Sequence, residues 1–240
     1  MLIGMRNAMM ATSNSNKEEE MYKEMFRAVV CNVPNGETVR LYDPDITYVG
    51  PYFLYNRGWN ASGQNNDSGF IEIDFPNVVQ CGTGGLGASF YNCRLKSVNL
   101  PSLVHCYGGA NFQSHFCTEI NLPLLQNIAN HEFSYSATLK TLNLPSLTSK
   151  SGSFFVYQCS ALEHVYIPQM TLSQLGGASY IAQQSCNSAA VFHLKDGDYD
   201  YQGNLISNGG YKRKCVRRSH RRSWRPSARF YAPRLWKEVA

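Results

Sequence analysis

The residues able to do chemistry fall into a few groups, and their spacing decides what each can do. Gly82, Gly84 and Gly87 match the GxGxxG phrase of dinucleotide-binding loops and follow a strand-like stretch. That phrase holds a pyrophosphate only where it opens a helix, whose first amides and dipole meet the anion. Here Ser89-Phe-Tyr-Asn-Cys93 runs straight into another strand-like stretch. No acidic residue stands about 20 positions on to take a ribose. A glycine-rich turn is the expected reading. Asp196, Asp198 and Asp200 alternate as the ligands of oxygen-based calcium loops do. That loop also needs Gly at its sixth position and Glu at its twelfth, where Tyr201 and Ser207 stand. A solvated acidic turn is expected. The histidines at 105, 115, 131, 164, 193 and 220 show no paired-ligand spacing, and no GxSxG elbow occurs. No residue is nominated as catalytic or metal-binding, no cofactor is implied, and the chain is expected not to be an enzyme.

The last group is the C-terminal tail. Residues 211–240 carry 11 basic and one acidic side chain, a net of +10, whereas residues 1–210 carry 11 basic and 16 acidic, a net of −5. Trp224, Phe230, Tyr231 and Trp236 interleave the tail arginines and lysines. Cations neutralise phosphates and rings stack on bases, so the tail suits nucleic acid or an anionic membrane surface as a partner. A solubilising extension, a segment folded onto the acidic body and an aberrant terminus compete with it.

What must position any site is a repeat, shown by a short apolar phrase ending in proline. It reads Ile71-Glu-Ile-Asp-Phe-Pro76, Leu95-Lys-Ser-Val-Asn-Leu-Pro101, Thr118-Glu-Ile-Asn-Leu-Pro123, Leu139-Lys-Thr-Leu-Asn-Leu-Pro145 and Leu162-Glu-His-Val-Tyr-Ile-Pro168. The prolines are spaced 25, 22, 22 and 23 residues apart. Apolar residues alternate at Ile73/Phe75, Val98/Leu100, Ile120/Leu122, Leu142/Leu144 and Val165/Ile167, so each phrase predicts a short strand with one buried face. Proline lacks a backbone donor and ends the ladder. Two residues beyond it stands another apolar anchor: Val78, Leu103, Leu125, Leu147 or Met170. An aromatic return follows, with Phe90, Phe112, Phe133, and Phe154 or Phe155. One such unit cannot enclose a core, but stacked units share one.

The period near 23, the L-x-x-V-x-L-P strand and the segments Phe90-Tyr-Asn-Cys93 and Val156-Tyr-Gln-Cys159 resemble the BspA-like leucine-rich repeats. Ile46 to Asn56 looks like a degenerate first repeat of the same kind. The resemblance covers roughly residues 40–170. The expected fold is therefore α/β and strand-dominated: a leucine-rich-repeat solenoid of about five to six repeats, with short parallel strands and irregular returns. The resemblance implies protein or glycan recognition of an adhesion type, at a cell surface or secreted. Against that, Met1-Leu-Ile-Gly-Met5 is too short for a secretory apolar segment, and no stretch is long enough to span a membrane.

Domain boundaries follow from where the repeat begins and ends. Residues 1–20 are polar and expected to be disordered. Residues 21–45, with helical spacing of Met21, Met25, Phe26 and Val29, are expected to cap one end. The solenoid runs over 46–170, with a loop at 58–69. Residues 171–210, including the strand-like Val191–Leu194, form the other cap, and 211–240 a disordered basic tail. The eight cysteines contain no CxxC pair and read mostly as free, buried thiols.

The candidate binding residues follow from strand geometry. If one side of each strand is buried, the alternate residues line up across repeats on the other. One column is then Asp74, Asn99, Asn121, Asn143 and Tyr166. Its neighbour is Glu72, Ser97, Glu119, Thr141 and His164. Of these, Glu72, Asp74, Asn99, Glu119, Asn121, Asn143, His164 and Tyr166 are the expected ligand contacts. The competing reading is that they only keep an open sheet soluble.

Overall fold

The structure is a computed structural model and describes residues 24, 26, 33–34, 36–56, 69–152, 155–183 and 186–208. The expected disordered N-terminus and the basic tail lie outside the described residues. Each turn of the coil adds one longer and one two-residue strand. In chain order these are β1 (Thr38–Tyr42), β2 (Tyr48–Val49), β3 (Phe70–Asp74), β4 (Gln80–Cys81), β5 (Leu95–Asn99) and β6 (His105–Cys106). They continue with β7 (Glu119–Asn121), β8 (Asn127–Ile128), β9 (Thr141–Asn143), β10 (Ser149–Lys150), β11 (Val156–Tyr157) and β12 (His164–Ile167). After a four-residue helical turn at Ala178–Ile181 come β13 (Ala182–Gln183), β14 (Val191–Leu194), β15 (Gly197–Asp200) and β16 (Leu205–Ser207). The longer strands stack in parallel as β1-β3-β5 and as β7-β9-β12-β14, and the short ones as β2-β4-β6-β8-β10. This is the strand-dominated repeat solenoid that the proline phrases predict.

The repeat chemistry explains each corner. The residue before every repeat proline accepts a hydrogen bond from the apolar anchor two places after it: Val78 N to Phe75 O, Leu103 N to Leu100 O, Leu125 N to Leu122 O, Leu147 N to Leu144 O and Met170 N to Ile167 O, all 3.2–3.3 Å. That is a β-turn with proline at its second position, where its fixed φ belongs and its missing donor costs nothing. The anchors and the inward strand residues are buried, except Val98, which is only half buried. The aromatic returns form one column through the core. Ring centroids run 6.1 Å from Phe53 to Phe90, 5.5 Å on to Phe112, 5.8 Å to Phe133 and 6.1 Å to Phe155. Phe155 is therefore a ring of this column in its turn. Ile46 to Asn56 supplies the first member of this column and a strand, β2, that pairs with β4.

On each return, two residues four apart adopt left-handed backbone: Tyr52 and Asn56, Ala88 and Asn92, Ala110 and Ser114, His131 and Tyr135, with φ of 53–59°. Non-glycine residues seldom sit there. Their recurrence at the same place in four turns marks the bend as a property of the coil. The glycine-rich segment is a turn closed by Thr83 N to Leu86 O (2.8 Å) and Leu86 N to Thr83 O (2.6 Å). It leads into a return, not a helix.

The 25-residue spacing has a structural consequence. The pairing of β3 with β5 shifts between Ile71↔Leu95 and Glu72↔Ser97, so Lys96 is an extra, bulged residue. Beyond β5 the ladder of longer strands is interrupted, and β7 begins a new sheet. At the break the Arg94 guanidinium covers the Phe70 ring at 4.7 Å and the Phe116 ring at 5.4 Å. At the N-terminal end, Glu24 and Phe26 have helical backbone, and Phe26 packs 5.5 Å from Phe53 and 5.7 Å from Phe75. At the other end β14 still pairs in parallel with β12, whereas β15 and β16 fold back antiparallel and reverse the chain.

Candidate binding face

The outward residues of the longer strands form two columns whose alignment is fixed by backbone pairing. In one, the register runs Tyr42↔Asp74↔Asn99, then Asn121↔Asn143↔Tyr166↔His193. In the other it runs Arg40↔Glu72↔Ser97, then Glu119↔Thr141↔His164↔Val191. Both columns step across the β5/β7 interruption. Asn99 and Glu119 are exposed, while Glu72, Asn121, Asn143, His164 and Tyr166 are half buried. Such partial burial is ordinary for side chains standing next to one another on a flat sheet.

Asp74 departs from the expectation. The alternation puts it on the outward side of β3 with Glu72, yet it is only 7% exposed. The Arg40 guanidinium, one strand back, forms an ion pair with its Oδ2, and Asn99 Nδ2 donates to Oδ1 at 2.7 Å from the strand ahead. A carboxylate flanked by two donors is satisfied where it stands, so it fastens three strands and has little left for a ligand. Asn143 Nδ2 likewise donates to Asn121 Oδ1 at 2.9 Å. The asparagine column is thus a side-chain ladder reinforcing the sheet, with only part of its polarity turned outward.

The far end of the face is the part that strand patterning alone did not reach. His193 Nδ1 lies 2.8 Å from Asp198 Oδ1, and His193 Nε2 lies 3.3 Å from His164 Nδ1. The Tyr166 and His193 rings stack at 4.4 Å and 8°. The signal for His193 was present in Val191-Phe-His-Leu194, since its alternation puts His193 in phase with Tyr166. The acidic run proves to be a hairpin: Asp198 holds His193, while Asp200 accepts from Gln202 N and Asn204 N and folds its own turn. Among the described residues, no group of three or more His, Cys, Asp or Glu stands where it could hold a metal ion.

Other polar groups lie inside the coil. Ser89 Oγ donates to Gly50 O at 2.9 Å, Asn111 Nδ2 to Tyr107 O at 3.0 Å and to Glu132 Oε2 at 3.3 Å, and all three side chains are sealed from solvent. Burial pushes the Glu132 carboxyl up to about 8. Burial likewise pushes the His115 imidazole down to about 3. Cys81, Cys93, Cys106, Cys117 and Cys159 are buried, and Cys186 is half buried. Cys93, Cys117 and Cys159 donate to carbonyls of the preceding turn, at Leu54, Leu95 and Phe133. The bonds of Ser89, Asn111, Cys93, Cys117 and Cys159 join one turn to another. A third surface, on the returns, carries tyrosines: Tyr55 stacks on Tyr91 and Tyr135 meets Tyr157, each pair at 5.1 Å.

Among the described residues no helix is long and apolar enough to cross a membrane. Searches of curated proteins and of solved structures each returned no match. A family profile described as BspA type leucine-rich repeat region matches in six copies over residues 69–189. The match takes in every complete turn from β3 to the return before β14, and with it the chain belongs to the BspA-type leucine-rich repeat family.

Proposed function

We propose that the protein is a non-catalytic binding module that recognises a protein or glycan through the exposed strand face of its solenoid. The observation that carries this is the pair of registered polar columns running along stacked turns. An extended face of this kind offers a ligand many weak contacts at a fixed repeat, which is how solenoids commonly bind. The family points the same way, since BspA-type repeats are often used for binding or adhesion and are typically non-catalytic. On this reading Asn99, Glu119, Asn121, Asn143, His164 and Tyr166 meet the ligand, Glu72 contributes from the rim, and Asp74 holds the strands in place. Residues 21–45 and 171–210 act as caps on the two ends.

The test is a screen of the purified chain on glycan and matrix-protein arrays, followed by alanine replacement of Asn99, Asn121, Asn143 and Tyr166 together. Loss of a detected ligand with an unchanged fold is expected. Retention of that ligand by the quadruple variant would place recognition elsewhere. A second reading, association with nucleic acid through residues 211–240, rests on their net charge of +10. It requires an affinity that falls steeply with salt and vanishes when those residues are removed.

A further inference from the structure

The C-terminal end of the strand face holds its titratable groups more tightly than a solvated surface requires. Asp198 on β15 meets Nδ1 of His193 on β14 at 2.8 Å, and Nε2 of the same ring meets Nδ1 of His164 on β12 at 3.3 Å. The Tyr166 ring lies flat against His193, so the imidazole cannot turn away without losing that stack. The His193 and Asp198 side chains are 19% and 25% exposed.

The proton count follows from this geometry. An ionised carboxylate only accepts, so His193 carries its hydrogen on Nδ1. In a neutral imidazole the other nitrogen is then a bare acceptor, and the hydrogen between the rings must come from His164 Nδ1. That leaves Nε2 of His164 without a hydrogen, the reverse of the tautomer that free histidine prefers in water. Two nearby carboxylates are engaged elsewhere. Thr141 stands opposite His164 on β9, and Asp200 on β15 is occupied by its own turn. Glu163 pairs with Lys140 at 3.0 Å.

We propose that Asp198, His193 and His164 form a relay that presents His164 Nε2 as a fixed acceptor for a hydroxyl-bearing ligand, a glycan, on the strand face. One strand away Asn143 gives one of its two amide hydrogens to Asn121, and its side-chain oxygen is a second acceptor beside His164. A ligand meeting two neutral acceptors must bring donors, and sugar hydroxyls supply them without stripping water from a charge. His164 is the contact residue, and His193 and Asp198 are positioning residues. The ligand part of this proposal rests on the strand-face reading, whereas the tautomer does not.

The test is long-range proton–nitrogen correlation spectroscopy of the nitrogen-15-labelled full chain at pH 8. In the wild type, His164 is expected to show a hydrogen-bearing Nδ1 and a bare Nε2. In His193→Phe, which keeps a ring against Tyr166 and removes both nitrogens, that assignment should reverse. A wild-type His164 protonated on Nε2 overturns the relay, as does a His193→Phe spectrum with His164 unchanged. Titration with chito-, malto- and galacto-oligosaccharides is then expected to shift the His164 Nε2 resonance, and to shift it less in His193→Phe. If none of the three moves it, the hydroxyl-ligand assignment falls. A matrix-protein ligand lost by the quadruple alanine variant would still leave the strand-face reading standing.

Discussion

Glu132 sits where water cannot reach it, with Oε2 taking a hydrogen bond from Asn111 at 3.3 Å. Burial is the main cause of its raised pKa, and hydrogen bonds from Asn111 and Cys106 offset only part of it. The native carboxyl therefore keeps its proton up to about pH 8, whereas the unfolded chain releases it near pH 4.3. Below the lower value both states hold the proton and the fold has the full benefit. As pH climbs toward 8 only the unfolded state ionises, so stability falls. Glu132→Gln removes that dependence. Urea denaturation is expected to show the variant gaining on the wild type by a few kcal/mol between about pH 5 and pH 9. A constant difference between the two across that range would mean Glu132 is solvated. His115 works in the opposite sense. Its Nδ1 accepts from Cys117 N at 3.0 Å, which requires the neutral ring. Its contribution is present above the unfolded value near 6.5 and is lost as pH falls toward about 3.

At the level of the element, each turn is held by what the next one places against it. Phe112 lies between Phe90 and Phe133, nearly parallel to the latter at 7°. Phe112→Ala is expected to cost roughly 3–5 kcal/mol in denaturant unfolding. A double-mutant cycle of Phe112 with Phe133 should give a coupling of about 0.5–1.5 kcal/mol, and one of Phe90 with Phe155, which do not touch, close to none. Glycine supplies the other kind of contact. A Cβ on Gly87 would fall within the backbone of Gly109 in the next turn, so Gly87→Ala should destabilise by about 2 kcal/mol or more. Equal stability of that variant in urea would show that the turns can part. The strands, the proline turns and the phenylalanine column were legible in the sequence because each is a local pattern repeated at a fixed period. Asp74 was not legible, because Arg40, the group that neutralises it, lies 34 residues away. The column was also read only as far as Tyr166. The next longer strand, β14, aligns with β12 at an offset of 27 residues, not 22 or 23, and Lys195 stands where the other strands have proline within two residues.

The whole molecule poses a question of cooperativity, because the longer strands form two sheets, not one. Were those sheets the only link between turns, β1-β3-β5 would be free to open apart from β7 onward. Two other sides of the coil cross the break. The short strands continue without interruption, with His105 paired to Asn127 and Asn127 Nδ2 2.7 Å from His105 Nδ1. The returns also continue, through Phe90 N to Asn111 O, Asn92 N to Gln113 O and Phe112 N to Glu132 O at 2.9–3.2 Å. Phe116 N still reaches Leu95 O at 2.8 Å. In a one-dimensional array, stability is the sum of turn and interface terms, and an interface that keeps two of three sides still transmits order. The described solenoid is therefore expected to unfold as one unit, fraying from β1 and β16. Native-state hydrogen exchange with increasing urea checks this: amides of β3, β9 and β12 should converge on one opening free energy. Convergence of β3 on a lower value than β9 and β12 would show that the bulge at Lys96 and the break beside it divide the coil into two separately stable halves.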